Sequence, residues 1–237
     1  MATKAEKTPL CRLLSKRGLA SRKRGAELAR AGRVKVNGQV LRDPERWVSN
    51  QSRIEVDDVV EYTQPHRVYM MNKKRGMISS RADPYGRALV CDHPLLRETC
   101  YAPVGRLDKG SEGLLLFTND TLLANRLTSP DSHLPKTYHV KIDRLLGTDE
   151  LEALGKTIDL DGELTKESVW SPLRHGEKTS WVEVQLREGK NRQIRRMLEQ
   201  LDVKVLRLIR VGLGSLVLGD LVKGDVRELS PEEIGRL

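Results

Sequence analysis

The chain has 237 residues, 32% of them charged, and a formal net charge of +9, so it is long enough for two packed cores and suited to a polyanionic partner. No apolar run reaches the 18 residues of a membrane-spanning helix, and the N-terminus lacks the apolar core of a secretory leader, so the cytosol is the expected location. Cys11, Cys91 and Cys100 show no C-x-x-C spacing, and Cys91 and Cys100 lack a convincing fourth ligand beyond His93, which argues against a disulfide scaffold or a zinc site.

Residues 1–8 are polar and aperiodic, as in a flexible tail. Leu10, Leu13, Leu14 and Leu19 then mark a short amphipathic helix stopping near Gly18. Ser21 is placed to cap a second helix, in which Ala26, Leu28, Ala29 and Ala31 mix with cations up to Gly32. Val34, Val36 and Val40 alternate with polar residues around Asn37-Gly38, a tight-turn composition, and Arg53–Val56 closes a small sheet. Residues 1–35 hold eleven Lys and Arg against Glu6 and Glu27, an excess equal to the net charge of the entire chain. The front end is therefore the electrostatic handle and the remainder is balanced.

Beyond a polar link at residues 63–67, Val68–Lys73 reads as a strand, Asp83-Pro84-Tyr85-Gly86-Arg87 as a turn and Gly113–Phe117 as an apolar strand. Helices are expected at 121–127, 149–155 and 191–201, and extended segments at 136–142, 168–170 and 180–186, with Tyr138, Val140 and Ile142 on one face. Separate helices among hairpin-linked strands argue for an α+β fold with a mainly antiparallel β-sheet flanked by helices.

Three stretches carry chemistry. Gly105-Arg106-Leu107-Asp108 precedes Gly113-Leu114-Leu115-Leu116-Phe117-Thr118-Asn119-Asp120, so one carboxylate is displayed from a loop braced on a buried strand. Taken alone, an Asp in such a turn is a turn or capping residue. Lys136-Thr137-Tyr138 puts an aromatic on a strand, and Glu188-Gly189-Lys190-Asn191-Arg192-Gln193-Ile194-Arg195-Arg196-Met197 repeats cations at Arg192, Arg195 and Arg196 after a glycine suited to a tight turn.

In this order the stretches resemble the signatures of RsuA-type ribosomal RNA pseudouridine synthases. Leu19-Ala20-Ser21-Arg22 with Ala31-Gly32-Arg33-Val34-Lys35-Val36-Asn37-Gly38 resembles the S4 RNA-binding domain. Lys74 stands where that family usually has proline in Asn-Lys-Pro-x-Gly. The resemblance implies a small S4-like RNA-binding domain over residues 9–62, followed by a pseudouridine synthase catalytic domain over 63–237. It also implies isomerisation of uridine in ribosomal RNA without metal or cofactor by a monomeric enzyme, and the S4-like module with the Arg207-Leu208-Ile209-Arg210 run leans slightly to large-subunit RNA.

Asp108 would start the reaction by attack on sugar or base, or by removing a ribose proton. Tyr138 would stack on the flipped uracil, and Arg195 would hold Asp108 ionised. Arg106, Arg192, Arg196 and Lys136 would contact RNA at the site, and Arg12, Arg22, Lys23, Arg33 and Lys35 would meet phosphates from the front end. Two other readings remain at this point: a noncatalytic RNA-binding or ribosome-assembly protein on the same fold, and a carboxylate glycosidase using Glu112 as its second acid.

Overall fold

The computed structural model describes residues 7–17, 19–57, 65–97 and 101–237. The chain divides into two compact units, residues 1–66 with 120–126 and residues 67–119 with 127–237.

The first unit runs β1 (Lys7–Pro9), α1 (Leu10–Lys16), α2 (Arg22–Arg30), β2 (Val34–Val36), β3 (Gln39–Val40), β4 (Trp47–Ser49) and β5 (Ile54–Val56). Its helices form where the alternation of leucines demands burial: Leu10, Leu13 and Leu14 of α1 meet Leu28 and Ala29 of α2 over Val34 and Val48. The Ser21 hydroxyl accepts from the Arg24 N–H at 3.2 Å, so the expected cap is in place. Asn37 and Gly38 both take positive φ, 51° and 83°, which is what a two-residue turn between β2 and β3 requires. The tail expected over residues 1–8 needs correcting at its end. Lys7–Pro9 pairs antiparallel with β4, because a strand entering α1 satisfies backbone groups that a free tail would leave to water; residues 1–6 lie outside the described residues, as does Gly18. Arg17 serves the fold, its guanidinium donating to the Ser52 and Asn50 carbonyls at 2.7 and 2.5 Å.

The second unit runs β6 (Val68–Lys73), α3 (Pro94–Arg97), β7 (Ala102–Val104), β8 (Glu112–Thr118), then, after α4 (Thr121–Thr128), most of which belongs to the first unit, β9 (Lys136–Ile142), α5 (Thr148–Gly155), β10 (Asp159–Leu160), β11 (Glu163–Leu164), β12 (Val169–His175), β13 (Ser180–Leu186), α6 (Gln193–Glu199), β14 (Val205–Leu213), β15 (Leu216–Val217), β16 (Val226–Glu228) and α7 (Pro231–Gly235). The turn read at 83–87 forms around Asp83, which accepts the Tyr85 and Arg87 N–H groups at 3.0 and 2.9 Å.

Among the described residues one nine-stranded sheet dominates, in the order β12-β13-β9-β14-β8-β6-β16, with β15 on β14 and β7 on β8. The sheet is mainly antiparallel, as expected for this fold class. The exception is the joint between β14 and β8, which is parallel and consists of Ile209 opposite Glu112 and Arg210 opposite Gly113. Directly opposed residues share a face, so four registers define one row across the sheet: Lys73, Gly113, Arg210, Tyr138 and Val184. That face carries two cores. One packs Leu151, Leu154, Ile194, Met197 and Leu198 of α5 and α6 on Val140, Ile142, Val182, Val184 and Leu208. The other gathers Tyr69, Met71, Leu96, Tyr101, Leu107, Leu115 and Phe117. Tyr138 touches both, so it lies at the seam.

Candidate active site

Asp108 sits in a loop whose backbone is pinned from beneath. Lys73, fully buried at the end of β6, donates from Nζ to the carbonyls of Lys74, Asp108 and Ser111 at 3.2, 3.0 and 2.7 Å. Ser79, also buried, accepts from the Leu107 N–H at 3.1 Å and donates to its carbonyl at 2.8 Å. The Gly76 N–H reaches the Lys109 carbonyl at 2.7 Å, and the Ser111 N–H reaches that of Asp108 at 3.0 Å. Each residue from 107 to 111 is thus held through its backbone or, at Gly110, by Arg195 Nη2 at 3.2 Å. A half-buried carboxylate on so fixed a loop loses little entropy when a reacting group meets it.

Arg195 lies within electrostatic reach of Asp108, yet the two do not close to a 4 Å ion pair. Its guanidinium is spent on the carbonyls of Gly110 and Val205, and Nε is buried without a partner. The expected direct clamp is therefore a clamp on the loop backbone. Burial and the neighbouring Arg192 pull the Arg195 pKa down, against an opposing pull from Asp108. Tyr138 is half-buried, and beside it Lys136 has its pKa lowered by burial first and by Arg210 second.

The turn leading into α6 departs from expectation. Gly189 needs no special backbone conformation, and an added Cβ there would meet nothing within 4 Å. The left-handed residue is Arg192 at φ 49°, the N-cap of α6, which is why the helix starts at Gln193 and not at Asn191. Gln193 is buried and ties the turn together, donating to Glu188 at 2.7 Å and accepting from the Lys190 N–H at 3.2 Å.

What this arrangement is follows from its likeness to known proteins. The family profile described as RNA pseudouridylate synthase matches residues 67–200, and the S4 domain profile matches residues 8–54. This chain belongs to the RNA pseudouridylate synthase family. It is 35% identical over 230 residues to the ribosomal large subunit pseudouridine synthase B of Bacillus subtilis (strain 168), covering 96% of this chain and 94% of the relative. It is 33% identical to the protein of the same name from Haemophilus influenzae, covering 99% of this chain and 68% of that one. A solved structure titled "Crystal structure of pseudouridylate synthase" superposes with a TM-score of 0.70 at 27% identity, covering 96% and 98% of the two chains.

Within this RNA pseudouridine synthase the remaining expected residues divide by availability. Arg106 and Arg192 are exposed, as are Arg12, Arg22 and Lys23 in the first unit. Arg196 is committed elsewhere, to the Leu160 carbonyl at 2.7 Å and Asp161 at 2.6 Å, and Lys35 pairs with Asp57 at 3.4 Å. Arg33 is half-buried. Glu112, the second acid a glycosidase would require, has both oxygens occupied: Oε1 accepts from Arg207 at 2.7 Å, and Oε2 from Arg207 and Lys223 at 2.8 and 2.7 Å. The Arg207 hydrogen bond leads in holding its pKa down to about 2, so it stays an ion and cannot donate a proton near neutrality. No cluster of metal-ligating side chains occurs among the described residues, and no helix there is long and apolar enough to cross a membrane.

Sequence reasoning missed Lys73, Ser79 and Arg210. For Lys73 and Arg210 a signal exists. Each is a cation set in an apolar strand where the alternation demands a core residue, and such a residue is retained only with a job for its charge.

Proposed function

We propose that this synthase isomerises a uridine in large-subunit ribosomal RNA, acting in the cytosol as a monomer, with Asp108 as the catalytic carboxylate. The observation that supports Asp108 most directly is its loop, pinned by Lys73, Ser79 and Arg195 beside Tyr138's strand. In the reaction the C1′–N1 bond breaks, the uracil turns while held, C5 bonds to C1′ and releases its proton, and N1 takes up a proton from solvent. Asp108 initiates the exchange and Tyr138 stacks on the base. Arg195 sets the loop and the local field, while Arg106 and Arg192 receive the phosphates flanking the flipped nucleotide. Lys136 and Arg196 border the site, and Arg33 and Lys35 support the first unit's RNA surface. Extruding the base costs on the order of a few kcal/mol, least for a uridine already in a loop or bulge, which makes such a uridine the expected target.

The test is release of label from C5 of uridine in large-subunit ribosomal RNA lacking the modification. The intact protein is expected to release label, and Asp108→Asn to release none while still binding RNA. Release by Asp108→Asn at the normal rate would remove Asp108 from the chemistry; no release by the intact protein from any ribosomal RNA, with tight binding retained, would favour the noncatalytic reading.

A second expectation concerns the first unit. Arg12, Arg22 and Lys23 are exposed cations, and replacing all three with glutamine should weaken RNA binding and flatten its logarithmic salt dependence by about 2, at roughly 0.7 per phosphate contact for a single strand. An unchanged slope in a salt titration would place the phosphate contacts elsewhere.

A further inference from the structure

We infer that Arg210 binds the uracil ring itself and holds it as an anion once the glycosidic bond has opened, an inference that rests on the uridine isomerisation proposed above. Arg210 keeps only 6% of its surface exposed, yet its guanidinium makes one hydrogen bond among the described residues, from Nε to the Leu114 carbonyl at 2.7 Å. Nη2 is shut off from solvent with no acceptor. Buried donors are almost always paired, so an arginine left this way points to an acceptor brought by the substrate.

Its place in the sheet says which acceptor. Arg210 stands between Gly113 and Tyr138 in the row that begins at Lys73, the residue holding the Asp108 loop. Gly113 contributes no side chain, and its strand meets the guanidinium through the Leu114 carbonyl. Among the described residues no carboxylate forms an ion pair with Arg210, and, after burial, its charge helps to lower the pKa of Lys136, another cation, against an opposing pull from Glu188. Arg210 is therefore a buried cation with no carboxylate partner of its own. A backbone phosphate needs cations that it can reach from the surface, as Arg106 and Arg192 are. A deeply set planar donor beside a stacking tyrosine suits a planar base with carbonyl acceptors.

The chemistry makes such a contact worth most at the difficult moment. Whichever role Asp108 takes, the ring leaves C1′ with the electron pair of the C1′–N1 bond, spread over N1 and the carbonyl oxygens. A charged donor on a carbonyl oxygen is strengthened as that charge develops, and is weaker in the ground state. C5 then gives an electron pair to C1′ and loses its proton, N1 takes one up from solvent, and the neutral product no longer needs the cation.

The experiment compares the full chain with Arg210→Met and Arg210→Lys on large-subunit ribosomal RNA carrying C5-labelled uridine. Melting curves, RNA affinity at two salt concentrations and single-turnover rate at saturating RNA are the readouts. Arg210→Met is expected to lose 10²–10³-fold in rate, the range for deleting one donor to a developing anion, with RNA affinity within twofold of the parent. A rate within twofold of the parent overturns the inference. So does a loss of affinity and salt slope at an unchanged saturated rate, which would make the ligand a phosphate. If Arg210→Met melts early, Arg210→Lys decides: it keeps the charge but not the planar fork, and it should fold and lose at least tenfold in rate. An Arg210→Lys variant that folds and turns over normally overturns the inference. An inactive parent would remove the proposed isomerisation, and this inference with it, whereas inactivity confined to the variants bears on Arg210 alone.

Discussion

Gly113→Ala is expected to destabilise the second unit by about 3–5 kcal/mol, combining the overpacking and positive-φ costs, and to lower its melting temperature by on the order of 10 °C. A Cβ at this position would stand 2.2 Å from the Arg210 carbonyl oxygen and 2.9 Å from its nitrogen. Both are backbone atoms of the adjoining strand, so no rotamer change relieves the contact. The residue also holds φ at 99°, a conformation an alanine adopts only under strain. Because the parallel joint consists of two residue pairs, one of them Gly113 with Arg210, the strands have no neighbouring rungs on which to redistribute the error. Gly235→Ala provides the control, since a Cβ there meets nothing within 4 Å. Thermal melts that leave Gly113→Ala within 2 °C of the parent would show that the joint tolerates separation.

The second large effect is the dependence of activity on the protonation of Lys73. Burial is the main cause that brings its pKa down to about 8, opposed by the charges of Asp108 and Glu112. At neutral pH it remains an ammonium whose three hydrogens serve three carbonyls, those of residues 74, 108 and 111. Deprotonation leaves two hydrogens for three acceptors and releases part of the loop that carries Asp108. The single-turnover rate should therefore fall as pH rises through about 8. Lys73→Met should lose roughly a hundredfold in rate, the scale of an ångström-level misplacement, and should lack that alkaline limb. Stability responds with the opposite sign. The folded pKa lies below the unfolded 10.5, so the unfolded chain binds more protons between about 8 and 10.5, and this group favours folding increasingly across that window. An identical alkaline limb in Lys73→Met would assign it to another group.

Much of the fold was legible because its cues are local. The leucine spacing of α1, the Ser21 cap, the Asn37-Gly38 turn and the alternation of β9 and β13 each specify their element from within a few residues. The order of the motifs likewise made the family readable, since each motif is contiguous. What escaped was decided by pairing between distant strands. Nothing near residue 73 announces three carbonyls, two of them 35 and 38 residues further on, and nothing near residue 210 announces Gly113 and Tyr138 as its neighbours. The strand at Lys7–Pro9 was missed for the same reason, its partner being some forty residues away. The role imagined for Arg195 was near in place and different in kind: the side chain reaches the loop's backbone and stops short of the carboxylate.

The parallel joint also sets when the enzyme can first exist during its synthesis. It links residues 112 and 113 to residues 209 and 210, and β14 must also lie against β9 before the row from Lys73 to Tyr138 is continuous. A growing chain that has exposed the Asp108 loop and Tyr138 but still holds β14 inside the ribosomal tunnel lacks the strand that joins β8 to β9. So long a loop closes only after β14 has emerged, so the row that joins Lys73 to Tyr138 is among the last parts of the sheet to form.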